Sequence, residues 1–264
     1  MNVMLSLPKH LARIVESIEL LPHARCFGKL SMTFFNVRIL FPCLNILLMH
    51  VLLTAGPTYE PIDPVRFLGN RSTGKMGYAL AEAFAAQGAE VTLISGPSQL
   101  PDPASARIRT VRVETAAEMF AEAAKVAAEA DVWVFAAAVA DYRPAQVAVD
   151  KIKKSGETLT LELVKNVDIA ATLGQRKRAE QFAVGFALET TNELAHAQDK
   201  LHRKNFDLIV LNSLRDAGAG FGHDTNKVTV LDAAGQIVNF ELQSKAEVAR
   251  GLVSLILARR APIA

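Results

Sequence analysis

The chain has 264 residues, half of them hydrophobic, and its formal net charge at pH 7 is only +2. This length and composition fit one soluble α/β domain with a large core, with or without an extension. The near-neutral charge and the lack of any run of five like charges give no sign of a nucleic-acid-binding surface.

The first 48 residues differ from the rest of the chain. Both cysteines, Cys26 and Cys43, lie there, so disulfides and thiol catalysis are not expected elsewhere. The apolar stretch 32–53 is interrupted by Asn, Arg and Pro, which disfavours a membrane span, and it lies too far from the N-terminus for a signal peptide. We interpret residues 1–48 as an extension outside the fold, disordered or not translated, with Met49 as an alternative start. A cytoplasmic protein is expected.

From residue 51 onward, short apolar runs alternate with amphipathic segments. Strands are predicted at 51–55, 90–95, 108–113, 131–137, 182–187 and 207–212, and helices at 74–87, 115–130, 167–179, 190–204 and 245–259. Thr115 and Glu118 fit a capping box at the start of the second helix. Two further runs, 228–231 and 237–240, flank a turn and predict a hairpin. This order predicts an α/β fold: a Rossmann-like, mostly parallel sheet with helices on both faces, plus a small β-hairpin extension.

The segment between the first strand and the first helix is typical of a nucleotide site. A strand ending at Ala55 is followed by a long polar loop, by GNRSTGKMG at 69–77, and by a helix. This layout brings backbone N–H groups and a helix N-terminus against a phosphate. A P-loop is disfavoured, because Met76 stands where a hydroxyl would hold Mg²⁺ and Gly69 lies far from the strand. The dinucleotide fingerprint G-x-G-x-x-G is absent.

A second candidate ligand-binding region follows the fourth strand. The residues 136–144, AAAVADYRP, begin with small side chains that leave room for a ligand at the carboxyl end of a parallel strand. The basic segment 151–154 is either a solvated loop or a mobile flap that closes over a triphosphate. Lys200 and Lys204 share one helix face and are either a solvated pair or ligands of the same phosphates.

Six sequence blocks together resemble the phosphopantothenate–cysteine ligase family. They are TAGPTYEPIDPVRFLGNRSTGKMG, AAAVADYRP, KIKK, LVKNVDI, GFALET and RKN, in that order within residues 49–259. In most bacteria this ligase is the C-terminal half of a bifunctional coenzyme A biosynthesis flavoprotein. The resemblance implies a ligase domain at 49–264; the preceding residues are too few for the flavin-dependent decarboxylase half, so no flavin is expected. Arg71, Val167 and Leu188 stand where His, Pro and Ala are usual in the family.

The resemblance implies CTP-dependent ligation of 4′-phosphopantothenate to L-cysteine through an acyl-cytidylate, giving 4′-phosphopantothenoylcysteine. Two anions must meet in such a site, so it needs cations, backbone donors and Mg²⁺, with the metal bound mainly through the nucleotide phosphates. The resemblance also implies a homodimer in which the flap of one chain covers the partner's site. Neither a nucleic acid nor a membrane is an expected partner.

The functional positions of the family map onto residues of this chain. Asn70 would orient the substrate and hydrogen-bond the acyl-cytidylate, although on its own it also fits a turn residue. Arg66 would assist from the same loop, and Lys151 would reach the triphosphate from the flap. The CTP site would comprise Phe135, Ala136, Ala137, Asp141, Lys151, Val167, Asp168, Ile169, Ala170, Phe186, Lys200 and Lys204.

Two other classes of function stay open. A non-catalytic Rossmann-like nucleotide-binding regulator would keep the pocket but would not need both Asn70 and Lys151. A short-chain dehydrogenase would need a Tyr-x-x-x-Lys pair on a helix, and none of the three tyrosines has a Lys four residues on. The joint presence of Asn70 and Lys151 favours the ligase.

Overall fold

Strands and helices alternate along most of the chain, as predicted. The computed structural model describes residues 49–154, 156–189, 191–213, 220 and 222–260, so the predicted extension at 1–48 lies outside the described residues. The strands are β1 (His50–Ala55), β2 (Tyr59–Pro61), β3 (Phe67–Gly69), β4 (Glu90–Ser95), β5 (Ile108–Arg112), β6 (Val132–Phe135), β7 (Tyr142–Pro144), β8 (Leu163–Lys165), β9 (Phe182–Glu189), β10 (Leu208–Ser213), β11 (Thr225–Asp232) and β12 (Ile237–Ser244). The helices are α1 (Lys75–Ala86), α2 (Ala116–Ala127), α3 (Ile169–Gly174), α4 (Glu193–Arg203) and α5 (Lys245–Arg259).

Eight of these strands form one sheet, in the order β12-β11-β10-β9-β6-β1-β4-β5. The six strands from β10 to β5 are parallel, and β11 and β12 continue the sheet in the antiparallel sense. The chain runs from β1 outward through β4 and β5, then returns to the other side of β1 to form β6, β9 and β10. This is the Rossmann strand order, and the reversal between β1 and β6 opens a crevice at their carboxyl ends, where such sheets bind ligands.

The core lies on both faces of the sheet. Val51, Leu53 and Ala55 of β1 pack in one hydrophobic cluster with α1 and α5, whereas Leu52 packs in a second cluster with α2, α3 and α4. The alternation follows from the two-residue period of a strand. The predicted fold class is therefore confirmed, and the predicted hairpin is the β11–β12 edge of the sheet itself.

Two small hairpins outside the main sheet were not predicted. They are β2–β3 and β7–β8, and β2 lies against β7. Tyr59 and Phe67 stack across the first hairpin with ring centroids 3.8 Å apart. Large apolar side chains are exposed on these hairpins and on the segments beside them: Val65, Phe67, Tyr142, Val147, Val149, Leu159 and Leu163.

The helix predicted at 167–179 is much shorter than expected. It ends at Gly174, where a Cβ atom would lie 2.0 Å from the carbonyl oxygen of Lys204. Asn205 also donates its Nδ2 hydrogen to the Gly174 carbonyl at 2.9 Å. The end of α3 is therefore fixed by close contact with the end of α4, which sequence periodicity does not reveal.

Both ends of the described domain are bound to one carboxylate. The backbone N–H of His50 donates to Asp131 Oδ2 at 2.8 Å, and Arg260 Nη2 donates to Asp131 Oδ1 at 2.8 Å. His50 and Asp131 lie at the amino ends of β1 and β6, opposite the crevice, and Arg260 directly follows α5. No helix within the described ranges combines the length and apolarity needed to cross a membrane.

Candidate functional site

A cavity of about 380 Å³ occupies the crevice at the carboxyl ends of β1 and β6. Its wall includes Thr54 of β1, most of the Gly-rich segment 69–77, and residues 135–141 at and after the end of β6. It brings together most of the predicted site residues: Asn70, Phe135, Ala136, Ala137, Asp141, Val167, Asp168, Ile169, Ala170, Phe186, Lys200 and Lys204. Arg66 and Lys151 are not among the described lining residues.

Asn70 is held at the cavity wall by its side-chain amide. Its Nδ2 donates to the carbonyl oxygen of Ala138 at 2.9 Å and to that of Val139 at 3.2 Å. Ala138 is itself fixed to the loop after β1, because its N–H donates to the Gly56 carbonyl at 2.8 Å. Asn70 therefore connects the Gly-rich segment to the loop after β6, and an oxygen of a bound ligand would compete with these carbonyls for its N–H groups.

Lys200 and Lys204 reach the cavity from α4, and each ammonium group is paired with a carboxylate. Lys200 Nζ lies 2.5 Å from Glu189 Oε1, at the end of β9. Lys204 Nζ lies 2.9 Å from Asp168 Oδ2. A bound phosphate would thus exchange with these carboxylates rather than meet free cations.

Asp168 also caps α3, because its Oδ1 accepts a hydrogen bond from the Ala171 N–H at 3.0 Å. Burial by itself raises the pKa of this carboxyl group. The hydrogen bond from Ala171 and the ammonium of Lys204 outweigh that effect, so the pKa of Asp168 lies below its ordinary value. The carboxylate is therefore charged at neutral pH and keeps Lys204 in place.

A second cationic region of the cavity wall was not predicted. Lys75, the first residue of α1, places its Nζ 2.6 Å from Asp224 Oδ1. Lys245, the first residue of α5, is buried, and its Nζ donates to the carbonyls of Gly220 at 3.1 Å and His223 at 2.5 Å. Burial and the nearby Lys75 lower the pKa of Lys245. Lys75 lies within the Gly-rich motif and could have been found there, whereas the fold alone brings Lys245 to this site.

Arg66 lies outside the cavity wall, on the connection between β2 and β3. Its guanidinium pairs with Asp63, with Nε and Nη2 at 3.0 and 2.5 Å from Asp63 Oδ2. Arg66 Nη2 also donates to the carbonyl of Ile152 at 3.1 Å, directly beside Lys151. Arg66 and Lys151, two of the three predicted catalytic residues, thus lie close together in the chain's fold. Neither is among the described residues that line the cavity of this chain.

Comparison with known proteins identifies the family. Residues 47–259 match the family described as the DNA/pantothenate metabolism flavoprotein C-terminal domain. The chain belongs to this family. The resemblance deduced from the six sequence blocks is thereby confirmed.

Two relatives are much longer than the region that matches this chain. A protein named cysteine/cysteine sulfinic acid decarboxylase, from an unknown prokaryotic organism, is 50% identical over 79% of this chain and 58% of its own length. The coenzyme A biosynthesis bifunctional protein CoaBC of Vibrio cholerae is 42% identical over 92% of this chain and 58% of its own length. The chain therefore spans little more than half the length of these curated relatives.

Solved structures agree with the fold. The C-terminal domain of a CoaBC protein is 42% identical and has a TM-score of 0.68, covering 81% of this chain and 97% of that domain. A Cab2 mutant in complex with phosphopantothenate-cysteine is 17% identical, with a TM-score of 0.65, covering 96% of this chain and 94% of that one. At that identity the second comparison speaks for the fold alone.

Proposed function

We propose that this chain is a phosphopantothenate–cysteine ligase that uses CTP and forms an acyl-cytidylate. One observation carries the proposal: a single cavity at the Rossmann crevice brings together Asn70, Asp141, Lys200 and Lys204. The solved CoaBC C-terminal domain, which this chain matches over 97% of that domain's length, supports the same conclusion. A protein of the same fold, the Cab2 mutant, has been solved in complex with phosphopantothenate-cysteine.

In the first step, an oxygen of the 4′-phosphopantothenate carboxylate bonds to the α-phosphorus of CTP as the bond to pyrophosphate breaks. Lys200 and Lys204 exchange Glu189 and Asp168 for phosphate oxygens and so hold the triphosphate. Asn70 donates an amide hydrogen to the acyl-cytidylate. Lys151 and Arg66 offset the charge that develops when the two anions meet.

In the second step, the amine of L-cysteine attacks the acyl carbon of the acyl-cytidylate. The new C–N bond forms, the C–O bond to CMP breaks, and the amine gives up a proton as CMP leaves. Phe186, which lines the cavity, offers an aromatic face on which the cytosine base can stack. The cavity wall keeps the acyl-cytidylate from water, which would otherwise hydrolyse it.

Mg²⁺ fits this site as a metal held mainly through the nucleotide. Within the described residues, no group of three or more His, Cys, Asp or Glu side chains is placed to hold a metal. Asp141 lines the cavity and would offer a carboxylate oxygen to a cation that the phosphates bind. When bound, the metal neutralises triphosphate charge and so favours departure of pyrophosphate.

We further propose a homodimer in which the segment that carries Lys151 covers the partner's cavity. Lys151 is outside the described wall of its own chain's cavity, which supports a role in a neighbouring site. The exposed apolar side chains on the β2–β3 and β7–β8 hairpins offer a face that a second copy would cover. Mobility of the segment, the separate extension at 1–48 and a cytoplasmic location stay predictions.

A pyrophosphate-release assay tests the proposed reaction. The chain is incubated with 4′-phosphopantothenate, L-cysteine, Mg²⁺ and each nucleoside triphosphate in turn. Pyrophosphate should appear with CTP and phosphopantothenate, and CMP together with the amide product should require cysteine. CTP binding without pyrophosphate release would favour the regulator. Release of CO₂ from cysteine without pyrophosphate would instead favour the activity that the decarboxylase relative is named for.

A further inference from the structure

The connection between β2 and β3, residues 62–66, is organised around the buried side chain of Asp63. Asp63 Oδ1 accepts hydrogen bonds from the backbone N–H groups of Val65 and Arg66, both at 2.9 Å. The N–H of Ile62 donates to the carbonyl of Arg66 at 2.8 Å and closes the turn. One carboxylate oxygen and the backbone are thus sufficient to form this turn.

The second oxygen of Asp63 connects the turn to a distant segment. Asp63 Oδ2 accepts from the Arg66 guanidinium and also from the backbone N–H of Ile152 at 3.1 Å. Arg66 Nη2 donates to the carbonyl of Ile152 at 3.1 Å. The N–H of Ala148 donates to the carbonyl of Ile62 at 3.0 Å. Residues 148–152, including Lys151, are therefore fixed to the 62–66 turn at two points.

Asp63 is suited to hold Arg66 and Ile152 in this arrangement. Its side chain has no exposed area, and a buried carboxylate persists only where charged and hydrogen-bonding partners surround it. The Arg66 guanidinium, helped by backbone N–H groups, holds the pKa of Asp63 well below its usual range. The carboxylate therefore stays charged throughout the pH range in which a ligase would work.

We propose that Asp63 is a positioning residue for the ligase reaction: its Oδ2 atom holds Arg66 and the backbone of Ile152 together, and so presents Arg66 and Lys151 as one cationic unit. We call Asp63, Arg66 and Ile152 the Asp63 clamp. The inference rests on the proposed function, because that function gives Arg66 and Lys151 their roles. Lys151 is one peptide unit from the clamp, so the start of its side chain is fixed within about 4 Å of a bound residue.

Asp63→Asn separates the two tasks of this side chain. The amide oxygen of Asn can take the place of Oδ1 and keep the hydrogen bonds from Val65 and Arg66. The amide NH₂ group then replaces Oδ2 and meets the donors of Arg66 and Ile152, so the clamp is broken while the turn remains. Asp207→Asn is a matched control, because Asp207 Oδ2 also holds a cation and a distant N–H, those of Lys177 and Ala183.

Amide hydrogen exchange, measured without any substrate, tests directly whether Asp63 binds the N–H of Ile152. In Asp63→Asn the amide of Ile152 should exchange at least about tenfold faster than in wild type, because its acceptor is lost. The same amide should exchange at the wild-type rate in Asp207→Asn. Unchanged exchange in Asp63→Asn would overturn the clamp, whatever the activity of the protein.

Steady-state kinetics then test whether the clamp matters for catalysis. Asp63→Asn should lower kcat for pyrophosphate release at least about tenfold, since misplaced catalytic groups cost rate. Its KM for CTP should change by less than about threefold, because Lys200 and Lys204 are untouched. A wild-type kcat in Asp63→Asn would overturn the positioning role. A wild-type chain that releases no pyrophosphate would overturn the ligase function itself. That result is distinct from unchanged exchange of the Ile152 amide in Asp63→Asn, which would overturn only the clamp.

A second variant covers the case in which Asp63→Asn unfolds at a lower temperature than Asp207→Asn. Ile152→Pro removes the N–H that Asp63 Oδ2 accepts and leaves both Asp63 and Arg66 in place. It should show the same loss of kcat with little change in the KM for CTP. Wild-type turnover in Ile152→Pro would overturn the proposal.

Discussion

Asn70 is fixed at the cavity wall through its amide nitrogen, which donates to two carbonyl oxygens of the loop after β6. Asn70→Asp would turn a carboxylate toward both carbonyls and toward an anionic substrate. We expect kcat for pyrophosphate release to fall at least about a hundredfold, because the loss of one hydrogen-bond donor that stabilises developing charge has an effect of this size in other enzymes.

Asn239→Asp is the control for this change. Asn239 lies on β12 and accepts from Thr229 through Oδ1, a role that a carboxylate also fulfils. This control should keep wild-type kcat, and both variants should melt within a few degrees of wild type. Near wild-type turnover in Asn70→Asp would remove Asn70 from the mechanism.

Asp168 makes the stability of the domain depend on pH. Its pKa is lowered in the folded state, so its stabilising effect is present above the unfolded pKa of about 3.9 and is lost as pH falls through the folded pKa. Asp168→Asn keeps a capping side chain but removes the ion pair with Lys204. We expect a loss of up to about 1 kcal/mol in the free energy of unfolding at pH 7, allowing for solvent screening.

Urea unfolding of the wild type and Asp168→Asn at pH 7 and pH 3 measures this effect. The difference between the two proteins should shrink at the lower pH. Asp199→Asn removes an exposed pair with Arg203 on α4 and should have almost no effect at either pH. An equal loss at both pH values would show that the stabilising effect does not come from the charge of Asp168.

At the scale of elements, α1 packs unusually close to β1 at Gly77. A Cβ atom there would lie 2.5 Å from the Cβ of Ala55, a residue of the rigid sheet. Alanine normally favours a helix over glycine by up to about 1 kcal/mol, but overpacking against the sheet costs about 1–3 kcal/mol. We expect Gly77→Ala to lower the melting temperature and to raise the KM for CTP, because the Gly-rich segment moves with α1.

Gly251→Ala is the matched control in α5. Its Cβ would meet the ring of Phe240 at 2.5 Å, and that ring lies at the edge of the sheet and can turn aside. We expect a smaller loss of stability and no change in the KM for CTP. An equal effect of both substitutions on the KM would argue against a special role for the approach of α1 to β1.

The sequence predicts those elements that repeat a pattern over several residues. Five of the six parallel strands, all except the edge strand β5, are mostly buried and therefore appear as largely apolar runs. The capping box at Thr115 and Glu118 is present in the structure. The β2–β3 and β7–β8 hairpins escape prediction because each strand has three residues and two of them contain proline. Such strands carry no alternation of apolar and polar residues.

The candidate site follows the same rule. Motifs locate the residues that line the cavity, because each motif is local in sequence. The carboxylates that pair with Lys200 and Lys204, and the position of Lys245 beside Lys75, depend on contacts between distant elements. The attachment of Arg66 to Ile152 spans 86 residues and has no local signal.

For the whole molecule, the proposed dimer predicts complementation between inactive chains. Lys151→Gln removes the charge of the flap, and Asn70→Asp inactivates the cavity. If one chain's Lys151 serves its partner's cavity, random exchange of subunits gives mixed dimers with one intact site. About a quarter of wild-type activity should then return, because half of the dimers are mixed and each has one of two sites.

Arg66→Gln provides the control for this experiment. Arg66 is bound to Ile152 of its own chain, so Arg66 and Lys151 should serve the same site. A mixture of Arg66→Gln with Lys151→Gln should stay inactive, whereas Arg66→Gln with Asn70→Asp should recover activity. Recovery in the first mixture, or no recovery between Asn70→Asp and Lys151→Gln, would contradict the shared site.

The convergence of both ends of the domain on Asp131 leaves the chain open to circular permutation. His50 and Arg260 bind the two oxygens of one carboxylate. A short linker from Arg260 to Met49 would therefore close the backbone at the amino ends of the strands, on the side opposite the cavity. New termini can be opened in the exposed turn Ala233–Gly235 between β11 and β12. The eight-stranded sheet would keep its strand order in space. The same side chains would line the cavity, although they would occur in a different order along the chain.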